Sequence, residues 1–254
     1  MHSHRVLRLL LVTLVALPAV AAPRDFPFTW NTKTLGAHSD GMESWLTPRL
    51  ERTVDFVQLD LRAAWVHGVT DSVESQLSLD VDLTHTNADQ NINPRLSSLW
   101  RWAAFRSEHF SFAGNGRVSL GTRMFEAEAR LVADVEVGRL LFSFNVSGAR
   151  AVLWDGLTGA DTRLEGNLGA RFQFASFASL GLEARSKTSW QKAAYVGTAL
   201  YVGPALTLRF DHFWATIGLQ AQVVGDKGKD DPSTDSQELR DNERFVLRLA
   251  IGAN

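Results

Sequence analysis

The residues best suited to chemistry in this chain are charged and stand at alternate positions. In Val73–Thr84 (VESQLSLDVDLT), Glu74, Asp80 and Asp82 share one parity with Gln76, Ser78 and Thr84. Val73, Ser75, Leu77, Leu79, Val81 and Leu83 take the other. A strand points alternate side chains to opposite faces, so this stretch is a ribbon with one oily and one acidic face. The same pattern returns at 126–137, where Glu126, Glu128, Arg130, Asp134 and Glu136 oppose Ala127, Ala129, Leu131, Ala133, Val135 and Val137. Arg62, Arg117, Arg163, Glu165, Arg171, Glu183, Arg185, Arg209 and Arg248 occupy the polar parity of other such runs. If those faces enclose one space, the charges can pair across neighbouring strands, because an unpaired charge in a narrow interior is costly. Arg117 lies beside Glu126 and Glu128, so these are expected to pair. Rows of like charge can also select ions. The acidic residues are concentrated on two runs and the arginines are spread thinly, which leads to an expected weak cation preference.

Other chemistries find little support. His85, in LTHTNADQNINP, faintly resembles the His-x-Ser-Asn segment of outer-membrane lipid A deacylases, but Asn87 stands where the nucleophilic serine would be. Acyl hydrolysis needs a hydroxyl or thiol nucleophile beside a base, so His85 reads as a rim or loop residue and no enzyme is expected. Asp226–Asp241 fails the calcium-loop pattern, with Gly228 at its third position and Asp231 at its sixth. No phosphate loop, metal cluster or cofactor motif occurs, so neither cofactor nor metal is expected.

The elements that must position these charges follow from the alternation. Expected strands are Phe26–Asn31, a short first one, then Asp55–Val66, Val73–Thr84, Leu96–Phe105, Phe110–Leu120, Glu126–Val137 and Leu140 onward. After these come Leu164–Phe174, Leu180–Arg185, Tyr195–Phe210, Trp214–Val224 and Phe245–Ile251. His38–Arg52, TNADQNINP, Asp155–Asp161, Ser186–Lys192 and Gly225–Glu243 read as loops from their polar, Gly- and Pro-bearing composition. The Leu96–Phe105 stretch also suits a helix, but Trp100 and Trp102 favour a strand. Short turns near 68, 107, 138, 176 and 212 alternate with mostly longer connections. Such alternation suggests an all-β, transmembrane antiparallel β-barrel, oily side to lipid and polar side to the lumen, with short periplasmic turns and longer outside loops. Twelve strands satisfy it, with ten as second choice if Phe26–Asn31 and Leu96–Phe105 drop out. A soluble periplasmic β-sandwich is the rival fold.

The start of the chain fits this reading. His2, His4, Arg5 and Arg8 precede an apolar run, Leu9–Leu17, and Ala19-Val20-Ala21 is a small-x-small cleavage site. Residues 1–21 are therefore read as a signal peptide, leaving 22–254 as the barrel. The run is too short to span about 30 Å as a helix. The chain has 254 residues, no cysteine, a net charge of −2 and 45% hydrophobic residues. Export without cysteine rules out a disulfide framework, and the charge gives no reason to expect nucleic acid. Trp65, Phe172, Phe174, Tyr195, Tyr201 and Trp214 fall near strand ends, where interfacial aromatic girdles are expected.

The runs HGVTDSVESQLSLDVDL, SSLWRWAAFRSEHFSFAGNGRVSLG and YVGPALTLRFDHFWATIGLQAQV…ERFVLRLAIG resemble outer-membrane barrels of the transporter-like, phenol-degradation meta-pathway type. That resemblance implies a bacterial outer-membrane barrel with a transport role and no catalytic residue. Chains of this type usually end on an aromatic residue that the barrel-assembly machinery reads, whereas this one ends Gly252-Ala253-Asn254. The expected partners are outer-membrane lipid, lipopolysaccharide and the assembly machinery, around a monomer. The expected function is a channel or uptake protein for small solutes. The alternative is a structural or adhesive surface barrel plugged by its own charges.

Overall fold

The computed structural model of the protein describes residues 24–51, 56–86, 90–122, 124–154, 160–227 and 243–253. Twelve strands follow in chain order: β1 Asp40–Glu51, β2 Phe56–Thr70, β3 Val73–Thr86, β4 Gln90–Arg106, β5 Phe110–Gly121 and β6 Met124–Val137, then β7 Leu140–Leu153, β8 Ala160–Ala175, β9 Ala178–Gln191, β10 Ala194–Phe210, β11 Phe213–Lys227 and β12 Glu243–Ala253. Each pairs antiparallel with its sequence neighbours, and β1 pairs with β12, so the sheet closes and leaves no edge. Tight connections at 71–72, 107–109, 138–139, 176–177 and 211–212 gather at one end. Asp40 and Ala253 lie at that same end, the periplasmic one by the usual rule for such barrels.

The period-two pattern produces the expected two faces. Leu77, Leu79, Leu96, Phe144, Leu168 and Leu182 point outward and are each 48–56% exposed. Apolar surface on this scale, continuous round the barrel, is a lipid-facing band rather than a surface for water. The strands run to 17 residues in β4, beyond the 9–11 or so that cross the hydrocarbon layer, so they carry the sheet past the membrane.

Several boundaries differ from the sequence reading. His38–Arg52 is not a loop: Asp40–Glu51 is β1. Pro48 is tolerated because the β1–β12 ladder skips from Leu46↔Leu249 to Arg49↔Val246, so no donor is required of it there. TNADQNINP is largely strand, since β4 starts at Gln90 and includes Pro94, which lies just past the end of the β4–β5 ladder at Arg95↔Gly121. Ser186–Gln191 completes β9, and a two-residue turn at Lys192 and Ala193, both with positive φ, joins it to β10. Polar residues there do not signal a loop, because the strand has left the lipid band. Tyr201 and Trp214 are not girdle residues: both are fully buried on the lumen parity, unlike exposed Trp65, Phe172, Phe174 and Tyr195. Most of Gly225–Glu243, the side chain of His85, Asn87 and the expected signal peptide lie outside the described residues.

The largest departure is Phe26–Asn31. It is no strand of the barrel. Phe26, Phe28 and Trp30 are buried, but so are Thr29 and Asn31 of the opposite parity. Burial on every side places this stretch inside the lumen, with sheet all around it. The strand count of twelve holds because β1 replaces it.

Candidate functional site

Residues 24–37 form an inner segment that fills the periplasmic half of the lumen. Its backbone has no ladder to join, so inward-pointing side chains of the barrel satisfy it. The amides of Phe28 and Thr29 donate to Glu183 Oε1 at 3.0 and 2.6 Å. Asn145 receives the Trp30 amide at 2.6 Å and returns a hydrogen bond to the Trp30 carbonyl at 2.9 Å, reproducing a β-bridge with a side-chain amide. The amides of Thr32 and Leu35 donate to Asp134 at 2.7 Å and Glu74 at 2.9 Å.

Charge locks both ends of this segment. Arg24 makes a two-pronged contact with Glu43 at 3.1 and 3.0 Å. Asp25 sits between Arg171, at 2.8 Å, Lys33, at 3.4 Å, and Arg209. Arg101 donates to the Lys33 carbonyl at 2.6 Å and pairs with Glu74 at 3.4 Å. The aromatic side chains dock between these anchors: Phe28 on Ala199, Tyr201 and Val246, and Trp30 on Leu99, Ala113, Val132 and Trp45. Room is made by missing side chains. A Cβ on Gly218 would come within 2.4 Å of Pro27, and one on Gly169 within 2.8 Å of the Phe26 ring.

Above the inner segment the outer half of the lumen holds a cavity of about 160 Å³. Phe28, Trp30 and Trp45 belong to its floor. Its walls carry Arg49, Arg62, Arg95, Arg117, Arg130, Arg163, Arg185, Lys187 and Arg248 against Asp60, Asp80, Asp82, Glu126, Glu128 and Glu165. Most charges pair. Arg117 contacts Glu126 at 2.6 Å and Glu128 at 2.8 Å, and Arg130 contacts Glu128 at 2.6 Å. Arg163 meets Glu165 at 3.1 Å, Arg95 meets Asp82 at 2.6 Å and Arg49 meets Asp60 at 2.6 Å. Arg62 pairs with Asp80, which also accepts from Ser97 at 2.5 Å. The two pairs at Asp60 and Asp82 matter because those like charges stand directly opposite in the β2–β3 register.

The charged residues picked from sequence therefore divide by height. Glu74, Asp134, Arg171, Glu183 and Arg209 hold the inner segment. Asp80, Asp82, Arg117, Glu126, Glu128, Arg130, Arg163, Glu165 and Arg185 surround the outer cavity. Arg248 does both, donating to the Pro27 carbonyl at 3.2 Å from the cavity wall. Glu136 has the same parity but sits exposed at the periplasmic rim. Glu43, Asn145 and Asp25 are essential to this arrangement and were not legible in the sequence. Asn145 is one amide in a run of alternating small and aromatic residues, and nothing in its spacing separates it from filling.

Comparison with known proteins agrees with this architecture. Residues 152–254 match a family of unknown function (DUF6662). No curated protein matches the chain. Among solved structures, an outer-membrane channel from Pseudomonas putida F1 aligns over 92% of this chain and 99% of its own, with a TM-score of 0.62 and 8% identity. The NanC porin aligns over 84% of this chain and 99% of its own, with a TM-score of 0.56 and 7% identity. The KdgM porin covers 84% of this chain and 98% of its own, with a TM-score of 0.54 and 9% identity. At such identities what is shared is the fold. With its closed twelve-stranded sheet and its outward apolar band, the chain is an outer-membrane β-barrel of porin-like architecture.

Proposed function

We propose that this barrel is a channel or uptake protein for small solutes that prefers anions and is narrowed on its periplasmic side by residues 24–37. One observation carries the reading: among the described residues, nine cationic side chains and six carboxylates line the outer cavity. This balance is opposite in sign to the expectation drawn from the two acidic strands. Glu74, Asp134 and Glu183 are engaged lower down by the inner segment, and Arg49, Arg95 and Lys187 add cations to the cavity wall. Fixed charge lining a narrow path sets the sign of the ion admitted.

The test is conductance of the refolded full chain in a planar bilayer under a salt gradient. Small conductance steps with a reversal potential on the anion side are expected. Cation-side reversal would reject the anion preference. A second reading, a sealed structural barrel, is favoured by the inner segment itself, and absence of any conductance from folded protein would select it.

A further inference from the structure

We propose that the outer cavity is a binding site for a compact, hydroxylated organic carboxylate, with Arg248 as the group that takes its carboxylate. The proposal rests on the channel reading for its biological sense, but its evidence is the geometry around Arg248.

Among the described residues Arg248 stands apart from its neighbours. Arg49, Arg62, Arg95, Arg117, Arg130 and Arg163 on the cavity wall each contact a carboxylate, whereas Arg248 donates only to neutral oxygens. Its Nε reaches the Thr47 hydroxyl at 3.0 Å and its Nη1 the Pro27 carbonyl at 3.2 Å. A guanidinium has five N–H donors in a planar fork, so its outer edge retains donors while two of its nitrogens are held. The same group lies 4.6 Å from the centroid of the Phe28 ring and 5.3 Å from that of Trp45, which hold its plane. A second guanidinium, Arg185, comes within 5.3 Å of that same Phe28 ring. Two positive groups thus converge on one aromatic ring. Arg248 feels the charges of Asp60 and Glu183 only at longer range. A pre-oriented cation with no carboxylate in direct contact is what a carboxylate ligand completes, because the pair then shares a charge-assisted, two-pronged contact.

The rest of the cavity specifies the body of the ligand. A volume of about 160 Å³ suits a molecule of one ring, since a cavity of roughly 150 Å³ holds benzene. The walls are mainly charged and amide groups, with Asp60, Glu165 and Asn115 able to accept hydroxyl protons. A purely apolar ring would desolvate these groups without replacing their hydrogen bonds. A ring or short chain bearing hydroxyls replaces them.

The probe pair is glucuronate and glucose, which share a hydroxylated ring and differ in the carboxylate. Calorimetric titration of the full chain in detergent micelles is expected to show saturable glucuronate binding and at least about tenfold weaker glucose binding. Arg248→Met, which keeps the stem over Phe28 and removes the charge, should weaken glucuronate about tenfold, the scale of one charge-assisted contact. Should that variant fail to fold, Asp60→Asn provides the converse arm: it removes a wall carboxylate and should tighten glucuronate. Equal binding of glucose and glucuronate, no saturable binding by folded protein, or unchanged affinity in Asp60→Asn and folded Arg248→Met would each overturn the proposal. Its failure is separable from failure of the channel reading. Anion-selective conductance without glucuronate binding rejects only the site, and glucuronate binding without conductance rejects only the channel.

Discussion

Arg117 reaches across from β5 to both Glu126 and Glu128 on β6, while Arg130 and Arg163 approach the same two carboxylates from the other sides. Each carboxylate is thus shared, and each arginine is held in one position. Replacing Glu126 and Glu128 with glutamine removes two negative charges from a wall that already has a cationic surplus. The expected outcome is a reversal potential moved further toward anions than in the wild type. The three arginines would lose partners in a largely enclosed site, so folding stability should also fall, by up to about 3–5 kcal/mol if the pairs behave as fully buried ones. Bilayer recordings and denaturant titration of the same preparation check both parts. An unchanged reversal potential would take these glutamates out of the ion path.

The inner segment is an element held without secondary structure. Its amides depend on Glu183, Asn145, Asp134 and Glu74, which stand on four different strands. Such a segment can be loosened without touching the barrel ladder. Glu183→Ala leaves the amides of Phe28 and Thr29 without their acceptor, at a cost of about 1–3 kcal/mol for each buried donor. Gly218→Ala acts sterically, because its Cβ would fall within 2.4 Å of Pro27. Both variants are expected to raise single-channel conductance and to expose residues 24–37 to protease added on the periplasmic side of proteoliposomes. A rise in neither observable would mean that the segment is not what narrows the lumen.

At the scale of the whole molecule the barrel is a sheet between two solvents. Its outward band is apolar and its interior is a network of charges, an inversion of the usual globular plan. Leu79, 53% exposed in the middle of β3, reports on this arrangement. Leu79→Lys should lower folding stability in lipid bilayers by about 2–4 kcal/mol, the cost of a lysine at the membrane midplane. Leu79→Phe should be close to neutral. Folding titrations in phospholipid vesicles make the comparison. Equal effects of the two substitutions would place Leu79 outside the hydrocarbon layer.

The local alternation of residues such as Leu77, Leu79 and Val81 against Gln76, Ser78 and Asp80 determines strands, their faces and a barrel with lipid outside. That information is legible because a strand has a period of two and each face meets one uniform environment. β1 was harder, since Gly41 and Pro48 speak for a loop, and only the pairing on both sides shows that Pro48 falls where the β1–β12 ladder is open. The inner segment could not be read at all as such. A chain surrounded by sheet is buried at every position, so Phe26–Asn31 has no polar face left to mark its place, and its alternation imitates a strand. The sign of the outer cavity was likewise beyond the sequence. Counting charges strand by strand ignores height, and only the fold shows that Glu74, Asp134 and Glu183 are taken up by residues 24–37 while arginines from many strands meet above them.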